Sequence, residues 1–386
     1  MDNLFFNEEH SMLVDMVRDF ANTEIAPIAK DMEKNGKIPK EIISQMAELG
    51  LMGIPIPEKY GGAGMDTVAY AAAVMELAKV DASVAITMAA HTSLGSMPIV
   101  IAGTEEQKQK YLPKLASGKV IGAFGLTEPG AGSDAGSTKT TAELDGDEYV
   151  VNGGKIFITN SSLAGILTLT TNIIENDENK GIGALIVETD TPGLKIGPKE
   201  KKMGWRASDT RQLFFENMRV PKENVLGQPT DGFKTFMKTL IGGRISVSAL
   251  SCGTAEGAFQ KALQYSTERK AFGKEIHAFQ AVGFKLADMA TDIEAAKLLT
   301  YHAAWMKDQG KDVLKQAAQA KLFASEAAMR ITTEAIQILG GYGYVKEYDV
   351  ERFFRDAKVL EIGEGTSEVQ RMVIARELVK TFSKAA

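Results

Sequence analysis

One cysteine, Cys252, stands in a chain of 386 residues. It cannot close an internal disulfide, and alone it cannot build a structural zinc site, which fits a reducing compartment. Histidine is nearly as scarce: the four, at positions 10, 91, 277 and 302, have no metal-ligand spacing and form no HExxH. A lone helical histidine is read as structural. There is no GxxxxGK[ST] phosphate loop and no GxSxG elbow. The G-x-G inside "GGYGY" (340–344) follows a helical pattern rather than a strand, so a nicotinamide-binding Rossmann unit has no support. No Lys/Arg-rich block occurs and the net charge is -6, which argues against nucleic acid as a partner. The opening "MDNLFFNEEHSML" has no basic residue ahead of its apolar patch and does not read as a secretory signal. No apolar run approaches the roughly 18 to 20 residues needed to cross a bilayer. A cytoplasmic protein without a membrane span is expected.

What is present divides into three regions. Apolar residues make up 44% and charged residues 24%, enough for a large core in two or three domains. Residues 1–118 read as a helical domain: "HSMLVDMVRDFANTEIAPIA" puts Met12, Leu13, Met16, Val17 and Phe20 on one stripe, and "EEQKQKYLPKLASG" runs to a stop at Gly118. "TVAYAAAVMELAKVDASVAITMAAH" is apolar on most sides, the pattern of a buried helix. Residues 119–228 switch to short β-rich runs. Asp145-Gly146 marks one turn, and Asn152-Gly153-Gly154 in "EYVVNGGKIFITN" reads as a hairpin between two strands. "ILTLTTNII", "IGALIVET" and "RQLFFENMRV" are further strand candidates, so an antiparallel β-barrel or sandwich is expected, closed by Pro221. Residues 229–386 return to helix. Val282, Leu286, Met289, Ile293 and Ala296 form a bundle seam, and the short "DQGKD" link predicts an antiparallel neighbour, giving a C-terminal four-helix bundle in an α+β multi-domain chain.

Two segments carry candidate chemistry. "FGLTEPGAGSDAGS" (124–137) has glycines that let backbone approach a ring or phosphate, with Thr127 and Ser133 as hydrogen-bonding hydroxyls. A turn-rich interdomain loop would look the same. In "EIGEGTSEVQ" (361–370), Ser367 and Gln370 have the spacing of a capping box that starts the last helix. The box leaves Glu364 unexplained, a carboxylate set between Gly363 and Gly365.

In order along the chain, "TEPGAGSD", "GGKIFITN", "KMGWRASDT", "ERKAFGK", "QILGGYGY", "RDAK" and "EGTSEVQR" resemble the signatures of the acyl-CoA dehydrogenase family, in particular its short-chain, butyryl-CoA dehydrogenase-like bacterial members. The resemblance covers nearly the whole chain. It implies a medial β domain between two α domains, and FAD-dependent α,β-dehydrogenation of a short-chain acyl-CoA to the trans-2-enoyl-CoA, as in fatty acid β-oxidation. Electrons would pass to an electron-transferring flavoprotein. Such chemistry needs a strong acceptor, a site that polarises the thioester carbonyl and one positioned base.

By matched position, the resemblance puts Phe124, Leu126, Thr127 and Ser133 against the flavin, and Phe157, Ile158 and Thr159 over its other side. Phe157 stands where many members have tryptophan. Arg269, Phe272, Phe279, Gln280, Gln337, Leu339, Gly340 and Gly341 match positions that reach FAD across a subunit interface, which implies a homotetramer. Thr366 and Glu368 match further flavin contacts; Ser133, Arg244 and Gly365 match substrate contacts. Ile241 stands where "TLIGGR" often carries aspartate, which weakens the CoA assignment. Glu364 matches the catalytic base, with its backbone amide and a flavin ribityl hydroxyl holding the thioester oxygen. Other members take their base from the position occupied here by Gly243, which has no side chain. Gly363 replaces a tyrosine of many close members and would open the acyl pocket to a branched or bulkier chain. An oxygen-using acyl-CoA oxidase or flavin monooxygenase, and a non-catalytic protein that kept the fold, are the alternatives.

Overall fold

The computed structural model describes residues 4–385. Seven helices come first: α1 (Glu8–Phe20), α2 (Ala29–Asn35), α3 (Lys40–Glu48), α4 (Thr67–Val80), α5 (Ala82–Ala89), α6 (Met97–Ala102) and α7 (Glu105–Ala116). A sheet follows: β1 (Ile121–Gly125), β2 (Thr141–Asp145), β3 (Glu148–Thr159), β4 (Ala164–Glu175), β5 (Glu178–Glu188), β6 (Leu194–Lys199) and β7 (Thr210–Pro221). The chain ends in α8 (Gly232–Glu268), the hairpin β8 (Lys270–Ala271) and β9 (Lys274–Glu275), then α9 (Gln280–Asp308), α10 (Leu314–Leu339), α11 (Val350–Lys358) and α12 (Ser367–Ala385).

The helices on either side of the sheet close on one core, which runs from Val17 in α1 through Val74 in α4 to Leu250, Ile293 and Ile331 in the C-terminal bundle. α4 is buried on nearly every side, as its all-round apolar sequence requires. Its backbone lies directly on α8: a Cβ at Gly253 or Gly257 would sit 2.3 Å from the Met75 carbonyl oxygen or 2.2 Å from that of Lys79. In α1 the expected stripe holds at Leu13, Val17 and Phe20, but Val14 takes the buried place expected of Met12, which is exposed. His10 is structural, exchanging capping hydrogen bonds with Asn7 and meeting Asp66. α9 and α10 are antiparallel, since Lys285 pairs with Glu334 and Asp292 with Arg330, in inverse order along the two helices. One expectation needs correcting: the helical run Ala82–Ala102 is long and apolar enough to cross a membrane. With 78% of its most apolar window inside the protein, it is accounted for as a core helix.

The sheet is mixed rather than purely antiparallel, because β1 and β2 both run parallel to β4 along the same edge. β1 leaves that edge after Gly125 opposite Leu169, and β2 rejoins it at Thr141 opposite Asn172. The glycine-rich segment 126–140 is therefore an excursion from one continuous edge. The Asp145-Gly146 turn forms as expected, with Gly146 at φ +64°. Asn152-Gly153-Gly154 does not turn the chain; it lies inside β3, where pairing with β7 slips at Gly153. These residue types also serve a β-bulge, and only the long-range partner decides between the two. β6 was not among the strand candidates, its glycine and proline having hidden it.

Candidate active site

Between α11 and α12 the chain turns through residues 359–366, and there Glu364 adopts φ +54°, followed by Gly365 at φ +96°. A side-chain-bearing residue at positive φ is strained and persists only where its surroundings fix it. Two buried side chains do so. Lys321 Nζ donates to the Gly365 carbonyl oxygen at 2.9 Å, and Gln370 Nε2 donates to the same oxygen at 2.8 Å and to that of Glu364 at 3.4 Å. The capping box is accordingly corrected. Thr366 caps α12, its hydroxyl accepting from Val369 N at 3.3 Å, while the Ser367 hydroxyl is enclosed without a partner. The flanking glycines differ in kind. Gly365 is required by its backbone and by Gln370, which a Cβ would approach to 2.8 Å; a Cβ at Gly363 would meet only the Val359 oxygen, at 3.4 Å.

The Glu364 carboxylate fills the space over Gly243, where an added Cβ would lie 1.9 Å from Oε2 and 3.2 Å from Leu94. Oε2 is fully enclosed and has no hydrogen-bond partner, and the same is true of Nε and Nη1 of the buried Arg244. A structural ion pair at this depth would satisfy those atoms with hydrogen bonds. Burial pushes the Glu364 carboxyl up to about 7, against the opposing cations Lys321 and Arg244. Burial likewise brings Lys321 down to about 8 and lowers Arg244. The arrangement is a carboxyl with one enclosed, unpartnered oxygen, poised to exchange a proton near neutral pH. Gly243→Ala is expected to fold, because the carboxylate can swing aside, yet to lose about 100-fold in kcat as the base is displaced by an ångström or more. Steady-state kinetics beside a thermal melt read both effects.

On the sheet, Phe124, Leu126 and Thr127 leave the end of β1 half-buried, with Phe124 stacked on Phe236 of α8 at 4.2 Å between ring centroids. The β3–β7 register slips again between Lys155 and Ile158, and Phe157 at φ +59° is turned outward, 62% exposed. Ile158 points the other way into the sheet core, so its side chain cannot cover a ring on the Phe157 side, and any contact there is made by its backbone. Two residues not singled out from sequence hold the 126–140 excursion. Lys155 Nζ, wholly buried, donates to Leu126 O, Glu128 Oε1 and Thr170 Oγ1. Glu128 accepts from the amides of Lys139 and Thr140, closing the neck of the loop. Beyond the neck, Gly130 and Gly132 have nothing within 4 Å of an added Cβ, and Ser133 is exposed. An open glycine backbone and an outward aromatic face suit the approach of a flat ring system with a phosphate tail.

The remaining expected contacts sit elsewhere. Arg269, Phe272, Phe279 and Gln280 cluster where α8 passes through the β8–β9 hairpin into α9, and Gln337, Leu339, Gly340 and Gly341 end α10. The two sets meet at Tyr342, whose ring lies 5.7 Å from the Arg269 guanidinium. Phe272 is almost fully exposed, and Leu339 is buried in the core. At 1.5 Å per residue α8 separates Arg269 from Arg244 by about 37 Å, so the structure does not bring this group to Glu364 within one chain. Thr366 and Glu368 lie at the start of α12, beside Glu364.

Three family models match the chain in order: the acyl-CoA dehydrogenase N-terminal domain over residues 7–119, the middle domain over 123–218 and the C-terminal domain over 230–379. A probable acyl-CoA dehydrogenase of Bacillus subtilis is 54% identical over 98% of this chain and 100% of its own length. A short-chain specific acyl-CoA dehydrogenase of Clostridium acetobutylicum is 48% identical over 96% of this chain and 98% of its own. The solved butyryl-CoA dehydrogenase of Megasphaera elsdenii superposes with a TM-score of 0.95 at 46% identity, covering 98% of this chain and 100% of that one.

Proposed function

The chain belongs to the acyl-CoA dehydrogenase family, and from that premise we propose that it converts a short-chain acyl-CoA to the trans-2-enoyl-CoA with Glu364 as the base. FAD is the cofactor of this family, and when bound it supplies the two-electron acceptor for the hydride that leaves the β-carbon. The observation that carries the proposal is Glu364, its backbone strained at φ +54° and its carboxylate seated over Gly243 with Oε2 enclosed and without a hydrogen-bond partner. A thioester α-proton is only weakly acidic, so the acceptor must be a carboxylate without competing partners and with its pKa raised toward working pH. Arg244, with two unpaired nitrogens beside that carboxylate, is suited to fix an oxygen of the substrate. Phe124, Leu126, Thr127, Ser133, Phe157 and Thr159 would hold FAD from their own subunit.

Below about pH 7 the base is protonated and silent. The acid limb of kcat/KM, which reports the free enzyme, should therefore fall near pH 7, with activity rising to a plateau above it. A limb at the ordinary glutamate value near 4.3 would contradict the raised pKa. Substrate choice rests on Gly363. Its backbone tolerates a side chain, so its absence leaves space rather than serving a turn. Across butyryl-, isobutyryl-, 2-methylbutyryl- and hexanoyl-CoA, Gly363→Tyr should lower rates on the branched and longer chains at least several-fold more than on butyryl-CoA; an unchanged ranking would sink the wider-pocket reading. Ile241 packs on the helical core, which removes one polar contact from the CoA side.

We assign Arg269, Phe272, Phe279, Gln280, Gln337, Leu339, Gly340 and Gly341 to the FAD of another subunit, because Arg269, at the end of α8, lies about 37 Å from Arg244 and the end of α10 meets it there at Tyr342. A homotetramer follows from that sharing, as the family resemblance implies. Electrons would leave to an electron-transferring flavoprotein as external acceptor, and the enzyme would work in the cytoplasm, in keeping with its single buried thiol. We place the domain limits at 118/119, one residue before the N-terminal family match ends, and at 228/229, between the middle and C-terminal matches.

A further inference from the structure

We propose that Lys321 is a positioning residue for this reaction: from inside α10 its ammonium holds the Gly365 carbonyl and thereby fixes where the Glu364 carboxylate points. The inference rests on the reading of Glu364 as the base. Lys321 is fully buried, on a helix face otherwise lined by alanines such as Ala317, Ala320, Ala324 and Ala328. A lysine there costs desolvation that a leucine would avoid, and its one hydrogen bond goes to the carbonyl of the residue following the base. Gln370 reaches the same oxygen from α12. Two helices thus grip one peptide group, next to a residue whose backbone is already in the left-handed region. Free of this grip, the 365–366 peptide is able to flip, the left-handed turn at Glu364 and Gly365 relaxes, and the carboxylate leaves its seat over Gly243.

The same ammonium acts on the charge of the base. Lys321 faces Glu364 and Glu361 from the turn, Arg244 from α8 and Glu326 on its own helix. Glu364 in turn faces Lys321 and Arg244, and its charge also reaches the buried phenol of Tyr70 from α4. Of the two cations that favour the ionised carboxylate, Lys321 is the stronger. Its removal must raise the Glu364 pKa and move the acid limb of kcat/KM to higher pH.

Three variants of the FAD-loaded full chain separate the effects. Lys321→Met removes both donor and charge: kcat at pH 7 should drop by roughly 10- to 100-fold and the acid limb rise by about one pH unit, so that the deficit narrows above pH 8. Lys321→Gln keeps a donor without the charge and should show the same limb movement with a smaller loss of kcat. Gln370→Leu removes the other donor at constant charge and should lower kcat with the limb unmoved. A Lys321→Met enzyme with wild-type kcat and wild-type limb overturns the proposal. So does a loss equal at every pH, which would make the lysine a packing residue, and so does loss of FAD from both lysine variants, which would make it a residue of the fold. If Glu364→Gln is inactive while Lys321→Met behaves as wild type, the base stands and only this inference falls.

Discussion

Glu364→Gln is expected to retain FAD and the fold while kcat falls roughly 10²- to 10⁴-fold, the range lost when a positioned base is removed. Glutamine keeps the shape over Gly243, so the neighbours have no cause to move. It also stays neutral at all pH values, so the residual rate should lose the acid limb near pH 7 that the wild type owes to this carboxyl. Unchanged turnover with FAD bound would remove Glu364 from the mechanism. Substrate binding should survive, because Arg244 and the surrounding backbone are untouched; a variant that failed through KM alone would make Glu364 a binding residue.

Arg352→Met is expected to cost about 3 to 5 kcal/mol of stability, the penalty for stranding buried carboxylates. Arg352 is 2% exposed and donates to Asp81 at 2.9 Å, to both oxygens of Asp349 at 2.8 and 2.9 Å and to the Val80 carbonyl at 3.0 Å. Asp356, one turn on, accepts from Trp205 N in the segment leading to β7. The cluster thus ties the α4–α5 junction, α11 and the sheet region together. Burial raises Asp81 and brings Asp356 up to about 7, with Arg352 opposing both; burial also pushes Asp349 upward, but the Arg352 hydrogen bonds outweigh it and hold that group low. Without the guanidinium Asp81 and Asp356, already raised, must rise further, while Asp349 loses its main partner and keeps Lys261. Groups raised in this way favour folding at low pH and oppose it as pH climbs through the folded pKa. The deficit of the variant should therefore be larger at pH 8 than at pH 5 in thermal or urea melts. A deficit independent of pH would show that packing against the Phe353 ring, rather than charge, is what Arg352 supplies.

Much of the architecture was legible where period or a stop residue decides: the buried α4, the seam of α9 from Leu286 to Ala296, the Gly118 stop and the Asp145-Gly146 turn. What escaped depends on partners far away in sequence. Asn152-Gly153-Gly154 has turn chemistry, yet β7 converts it to a bulge; β1 and β2 share one edge of β4, which no local pattern reveals. The Thr366 cap and the exchange of Val14 for Met12 are slips of one or two residues, where neighbouring side chains compete for one place. At the site, Glu364 stood out through its motif. The physical reason that Gly243 leaves it unrivalled is spatial: the empty Cβ position there is the seat of the carboxylate. Lys321, Lys155 and Glu128 carried no usable signal, since a charged residue in a helix or loop reads as solvated until its burial is seen.

The central claim is most directly tested by the visible spectrum of the purified protein under anaerobic conditions, before and after addition of butyryl-CoA, isobutyryl-CoA and hexanoyl-CoA. A yellow protein whose flavin band bleaches with a short acyl-CoA, and does so at least about a hundred times more slowly in Glu364→Gln, is the predicted result. A flavin band that no acyl-CoA bleaches, or one bleached equally fast in the variant, would contradict it.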